Sequence, residues 1–251
     1  MGTMRLLVYN IRYGTGASAR FHLPVPFGGY LKRTGSNLEK ITAFIKSYRP
    51  DIIGLLEVDS GSFRARKLNQ ASVIAKALGH YHIYESKYDS TSLIQRLPVV
   101  NKQVNAFLTS EEIKTQKFHY FRKGIKRLVI ELELDEVTIF LVHLSIKFRH
   151  RQNQLHDLYQ LVRKVKKPLI VAGDFNPMWG DHEIQMFLAA SGLTNANRHA
   201  LPSHPSRSPQ RQIDFILHSP HIRVARFEMP RVRFSDHLPL ICDFEIAQRA
   251  D

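Results

Sequence analysis

The stretch PLIVAGDFNPMWGD, residues 168–181, runs an apolar segment straight into a carboxylate and an amide, Asp174 and Asn176. On an extended strand a spacing of two sends both side chains to the same side, aiming an acid and an amide at one point. Such a pair can take a proton from water, donate hydrogen bonds to a developing negative charge, or bind a hard cation. The bland alternative is an Asn-Pro turn with Asp174 as its local cap. Similar residues border other apolar runs. Asn10 ends MRLLVYN, Glu57 ends DIIGLLE, His143 ends TIFLVH, Asp214 sits in QIDFIL, and Asp236 and His237 precede LPLICDF. Each has its own bland reading: Glu57 as a solvated strand end, His143 as a core histidine, Asp236 as a cap. Strand ends at one sheet edge nevertheless lie close in space, and that is where α/β ligand sites form.

The elements that would have to position these groups alternate regularly. MRLLVYNI reads as a strand, and SNLEKITAFIKSY as a helix with Leu38, Ile41, Phe44, Ile45 and Tyr48 on one face. Ser36 and Glu39 have capping-box spacing, and Pro50 stops the helix. DIIGLLEV is an apolar strand covered on both faces. A second helix is expected from about Lys67 to Leu78, closed by Gly79. RLVIELEL and VTIFLVHL form a hairpin across Asp135 and Glu136. A helix near 150–165, the strand PLIVAGDFN, a short helix from an Asp181 cap to Gly192, and the strands QIDFIL, RVARFEM and LPLICDFEI complete the order. No repeat or linker divides the 251 residues, so one domain spanning 1–251 is expected. Two segments are long for plain connections, residues 12–36 and the proline- and serine-rich 196–211.

Composition narrows the partners. Lysine and arginine number 36 against 22 aspartates and glutamates, a formal charge of +14, which favours a phosphate-bearing partner. Solubility alone explains part of this, and RKVKK at 163–167 is a solvated helix end. No run reaches the roughly 18 apolar residues of a membrane span, and no signal peptide is legible, so a cytoplasmic location is expected. The single cysteine, Cys242, lies in an apolar alternation and reads as a buried structural thiol. The GTG at 14–16 falls short of a dinucleotide fingerprint, so no nucleotide cofactor is implied. Zinc is disfavoured by the lack of a cysteine cluster or two-histidine helix motif. Oxygen-rich ligands favour Mg²⁺, with Mn²⁺ as the alternative.

In order along the chain, YNIRYG, DIIGLLEVD, VHLS followed by RHRQNQ, VAGDFN, RQIDFIL and SDHLPL resemble the endonuclease/exonuclease/phosphatase superfamily of metal-dependent phosphoesterases. The resemblance implies an α/β fold, a four-layer α/β/β/α sandwich with two mixed β-sheets packed face to face and the site at one edge. It implies Glu57 as the principal ligand of Mg²⁺, with Asn10 at the same metal and Asp236 as a second carboxylate. It further implies that Asp214 orients the imidazole of His237, which contacts the scissile phosphate. Asp174 is then the group activating the attacking water, while Asn176 and His143 donate hydrogen bonds to the phosphoryl oxygens. Gln212 and PMWGD depart from the abasic-site nucleases of the family, and STSLIQRLPVV replaces a typical strand between residues 85 and 105.

The leading expectation is a Mg²⁺-dependent phosphodiesterase acting on nucleic acid as a monomer. A phospholipid, sphingomyelin or inositol-phosphate hydrolase is the alternative. It draws on the aromatic and apolar FHLPVPFGGY, whose residues 21–30 could meet a membrane surface beside Arg12, Arg20, Lys32 and Arg33, or fold back onto the domain. A non-catalytic binding module comes last, because every catalytic position carries a competent residue type.

Overall fold

The apolar runs fold into two six-stranded sheets in a computed structural model that describes residues 2–17, 34–87, 100–124 and 126–247. The strands are β1 (Met4–Asn10), β2 (Ile52–Asp59), β3 (Tyr81–Ser86), β4 (Gln103–Thr109), β5 (Thr115–Tyr120) and β6 (Leu128–Glu133). They continue with β7 (Thr138–His143), β8 (Leu169–Asp174), β9 (Thr194–Asn195), β10 (Asp214–His218), β11 (Ile222–Glu228) and β12 (Leu240–Ile246). Four helices accompany them: α1 (Gly35–Tyr48), α2 (Gln70–Leu78), α3 (Phe148–Val162) and α4 (His182–Ser191). The proposed membrane segment 21–30, and most of STSLIQRLPVV, lie outside the described residues.

One sheet has the order β11-β12-β1-β2-β4-β3 and the other β5-β6-β7-β8-β10-β9. Each is mixed, because each holds one parallel pair made by a strand-helix-strand unit. β1 crosses through α1 to β2, and β7 crosses through α3 to β8. In a parallel pair both strands finish at the same edge. Asn10 and Glu57 therefore come to one edge of the first sheet, and His143 and Asp174 to one edge of the second. β10 runs antiparallel to β8 in register Asp214↔Asp174, so its first residue arrives at that edge too.

Side-chain alternation explains the layers. Leu6, Val8, Ile52 and Leu240 of the first sheet meet Ile130, Leu141, Ile170 and Ile216 of the second in an interior core between the sheets. The opposite faces of the same strands, with Leu7, Ile53, Leu55 and Ile241, are covered by Leu38, Ile41 and Ile45 of α1 and Ile74 of α2. Phe140, Val142, Val171 and Phe215 are covered by Leu155 and Leu158 of α3 and Phe187 of α4. The result is the expected four-layer α/β/β/α sandwich. Truncating one such buried leucine to alanine costs about 2–5 kcal/mol. Cys242 belongs to the interior core, where burial pushes its thiol up to about 12, as befits a structural thiol.

Two local expectations change. The capping box at Ser36 and Glu39 does not start α1: the cap is Thr34, with no side-chain cap bond. Thr34 is buried and its hydroxyl is spent on Arg64 O and Gln70 Nε2, so tertiary contacts displaced the local motif. α2 begins at Gln70 rather than near Lys67, because Asn69 accepts the N–H groups of Ala71 and Ser72, a cap worth about 1 kcal/mol. Its end at Gly79, in the left-handed conformation, is as expected.

Candidate active site

β1 ends at Asn10, whose Nδ2 lies 3.4 Å from both Asp174 Oδ2 and His237 Nε2. The two sheets therefore touch at this edge through their catalytic candidates. Its Oδ1 accepts the backbone N–H of Arg12 at 3.1 Å. That turn is tight, with Arg12, Tyr13 and Gly14 all at positive φ. It directs Arg12 Nη1 to within 3.3 Å of Asp236 Oδ2.

Glu57 does not sit at the end of its strand. β2 continues to Asp59, and Glu57 occupies a register shift between Leu55 and Val58 with φ of 52°. A left-handed glutamate inside a strand costs on the order of 1–3 kcal/mol, and such strain persists where it aims a side chain. Oε1 faces Lys126 Nζ at 3.3 Å, His143 Nε2 at 3.8 Å and Lys87 Nζ at 4.0 Å. Burial works to raise this carboxyl, but Lys87 and Lys126 outweigh it and hold the group well below the usual carboxylate range. All three contacts fall on Oε1.

Lys87 is almost fully buried at the end of β3. It donates to the Tyr13 hydroxyl at 2.9 Å, and its Nζ lies 4.8 Å from the Tyr13 ring centroid. Arg64 also lies over that ring, at 4.3 Å, and is held by Asp59 at 2.6 Å. Burial lowers Lys87 to about 7 against the opposing pull of Glu57.

In the second sheet, His143 and Asp174 are register partners at the ends of β7 and β8. His143 Nε2 lies 3.2 Å from Asp174 Oδ2 and also contacts Lys126 Nζ. Burial, with Lys126 and Lys87 adding to it, pushes this imidazole well below its ordinary value, so it is neutral near pH 7. Asn176 departs from the strand geometry expected of it. With φ of 53° it has left β8, its N–H donates to Asp174 Oδ1 at 3.0 Å, and its Nδ2 donates to Leu144 O at 3.0 Å. The local-cap reading of GDFN thus holds, and the Asn176 amide is spent on Leu144 O. Asn176 restrains the Asp174 carboxylate.

His237 and Asp214 form the best-defined pair. His237 Nδ1 lies 2.8 Å from Asp214 Oδ2, and Ser203 donates to the same oxygen at 2.6 Å. Burial disfavours the imidazolium, but Asp214, Asp174 and Asp236 outweigh that and raise the group to about 10. Ser235 donates to Asn10 O at 2.6 Å, stitching the segment before β12 to the end of β1.

All eight residues expected at the site thus reach one edge, linked through Asn10, Asp174, His143 and the Arg12 turn. Sequence reasoning missed Lys87, Lys126, Arg12, Ser203 and Ser235. Lysine and serine are common on surfaces, and only the proline- and serine-rich character of 196–211 hinted that this loop had a task. The donor set suits a hard divalent cation, with carboxylate and amide oxygens and no thiolate. His204, Asp236 and His237 offer three ligand atoms within 4.8 Å of one another, as do Asp174, Asp214 and His237; Glu57, expected as the principal ligand, belongs to neither group.

The profile of the Endonuclease/Exonuclease/phosphatase family matches residues 7–237. No curated protein matches the chain in sequence. Among solved structures, an endonuclease/exonuclease/phosphatase from Beutenbergia cavernae superposes with a TM-score of 0.74 at 17% identity, covering 98% of this chain and 72% of that one. The human Nocturnin catalytic domain, solved with bound sulfate, gives 0.68 at 21% identity, covering 98% and 95%. A mannosyl-6-phosphatase from Bacteroides thetaiotaomicron gives 0.69 at 16% identity, covering 97% and 100%. At these identities the likeness is one of fold.

Proposed function

Because the chain belongs to the Endonuclease/Exonuclease/phosphatase family, whose members hydrolyse phosphoester bonds, we propose that it is a divalent-metal-dependent phosphodiesterase acting on nucleic acid. The observation that carries the reading is the meeting of Asn10, Asp174 and His237 across the two sheets, with the Asp214–His237 pair behind it. The formal charge of +14 supports a polyanionic substrate.

The residues divide the work by geometry. Asp214 holds Nδ1 of His237, so Nε2 faces the site and brings a positive charge to a non-bridging phosphoryl oxygen. Asp174, fixed by the Asn176 N–H, takes the proton of the attacking water. The water oxygen forms the new bond to phosphorus as the bond to the leaving oxygen breaks. His143, neutral and beside Asp174, donates a hydrogen bond to the developing charge. Glu57 with Asn10 and Asp236 would hold Mg²⁺ or Mn²⁺, which when bound neutralises phosphate charge and stabilises the leaving oxygen.

Product release from single- and double-stranded DNA, RNA, sphingomyelin and an inositol phosphate, each with Mg²⁺, Mn²⁺ or chelator, tests the reading. Cleavage of polynucleotide that stops with chelator is expected. Turnover confined to lipid or to a phosphomonoester overturns it.

A further inference from the structure

Loops leaving the site edge carry an unusual surface. Segment 60–69 follows β2, 144–151 runs from β7 into the first turn of α3, and 196–211 leads into β10. Each contains three lysines or arginines and no carboxylate, with Arg64 and Arg151 buried and the rest available to the surface. Large apolar side chains project from the same edge: Phe63 is 56% exposed, Phe148 54% and Trp179 79%. Phe148 stands between Lys147 and Arg149, all three exposed, and Phe63 is followed by exposed Arg66 and Lys67. Trp179 sits three residues beyond Asn176, in the turn between β8 and α4.

These aromatics sit on braced supports. Arg151 lies 5.9 Å from the Phe148 ring centroid, donates to Ser145 O and Ile146 O, and pairs with Glu183 at 2.5 Å. Glu183 is in the first turn of α4, so one buried guanidinium ties the Phe148 loop to the helix that follows the Trp179 turn. On the other side, Asp59 accepts the N–H groups of Gly61 and Ser62 and the Arg64 guanidinium, fixing the segment that carries Phe63. A rigid platform gives up little conformational entropy when a ligand stacks on it.

Exposed aromatic rings interleaved with cations, placed around groups suited to a phosphodiester, match a ligand that alternates phosphates with flat π-faces. Resting on the reading above, we infer that Phe148 and Trp179 are base-stacking platforms that select single-stranded nucleic acid. Bases in a duplex have both faces covered by their neighbours, whereas an unpaired strand offers them freely. The cations track the backbone and give the salt dependence, while the rings supply a contact that a bare phosphate chain cannot make. The aromatics stand on separate segments, and exposed cations flank two of them, Phe63 and Phe148.

Trp179 is the only tryptophan of the chain, so its emission reports on this contact directly. The full-length protein is titrated in chelator with a thymidine oligonucleotide, the matching duplex, an abasic strand of equal length, and phosphatidylserine vesicles. Quenching by the thymidine strand, with weaker response to duplex and abasic strand, is expected. Equal response to the abasic strand, or an emission shift with vesicles alone, overturns the inference. Binding of a labelled strand followed by anisotropy should weaken about tenfold in Phe148→Ala and in Trp179→Ala, with the salt slope unchanged. Unaltered affinity in both variants also overturns it. Chelator separates this result from the catalytic reading. Quenching without polynucleotide cleavage counts against the activity alone, and cleavage without quenching counts against the platforms alone.

Discussion

His237 Nδ1 meets Asp214 Oδ2 at 2.8 Å, and Ser203 donates to that same carboxylate oxygen at 2.6 Å. The acid is thereby committed to two donors, and the only nitrogen of this imidazole left for chemistry is Nε2, beside Asn10. This chain of contacts runs from a loop serine through a strand carboxylate to a histidine in the segment before β12, and each member fixes the next.

Replacing Asp214 by asparagine should therefore cost far more activity than its side-chain size suggests. An amide cannot supply the charge that sustains the imidazolium and can hold the ring in the wrong tautomer. In a comparable His–Asp arrangement that change costs about 10⁴-fold in turnover. A fall of roughly 10³-fold or more in kcat is expected for Asp214→Asn, against about tenfold for Ser203→Ala, which removes one hydrogen bond from the same oxygen. Steady-state kinetics on a chromogenic phosphodiester measures both. Equal, small losses would show that the pair is structural.

Glu57→Gln should remove the divalent-ion response while sparing the fold. The wild-type protein gains stability from any ion that binds only the native state, about 2.7 kcal/mol at a hundredfold excess over Kd. That gain appears as a rise in Tm on adding Mg²⁺ and should vanish in the variant, along with turnover. Lys87 loses its counter-charge in this substitution. With burial already lowering it to about 7, it can shed its proton near neutral pH rather than remain a buried unpaired cation. A variant that keeps the full Mg²⁺-induced shift would remove Glu57 from the ligand set.

Much of this site is legible in the sequence because its members end apolar runs. Asn10, His143 and Asp174 close strands whose hydrophobic pattern is unambiguous, and the two strand-helix-strand units follow from alternation alone. Glu57 is harder, since nothing in IIGLLEVD announces a bulge and a left-handed residue within a continuous apolar run. Lys87 and Lys126 are invisible for another reason. A lysine's default is solvent, and only the crossing of β3 and the segment before β6 toward Glu57 turns these two inward. The capping box at Ser36 illustrates the converse, a correct local signal that lost to the tertiary contacts of Thr34.

Stability should fall as pH drops below about 6.5, for histidines buried in their neutral form. His218 is pushed below its ordinary 6.5 by burial, with Arg198 adding a smaller push and the Ser219 carbonyl opposing it. The unfolded chain takes up the proton first, so between the unfolded value and the lower folded one the unfolded state binds more protons and gains. Above about 6.5 neither state is protonated and this contribution is constant. His80, His143 and His204 shift in the same direction, burial being the first cause for each. Between pH 6.5 and 5.5 the urea midpoint should decline, and His218→Gln should flatten part of that decline. A variant whose pH dependence matches the wild type would show that His218 titrates alike in both states.

Gly173 sits between the core of β8 and the Asp174 carboxylate, and its substitution should couple fold to site. Its φ is +140°, a conformation other residues rarely adopt, and a Cβ there would come within 2.0 Å of Val142 O on the neighbouring strand. No side chain can swing away from that contact, because the obstacle is backbone. Val142 and Gly173 are register partners one step before His143 and Asp174, so relief by separating β7 from β8 would also part that pair. Gly173→Ala is expected to cost about 3 kcal/mol or more and to lose most activity even in the fraction that folds. Gly79→Ala is the matched control. Its φ is +73° and nothing lies within 4 Å of the added carbon, so only the left-handed penalty of about 1–2 kcal/mol applies, with kcat unaffected. Chemical denaturation of both variants, with kcat normalised to folded protein, separates strain at the strand pair from the general cost of losing a glycine.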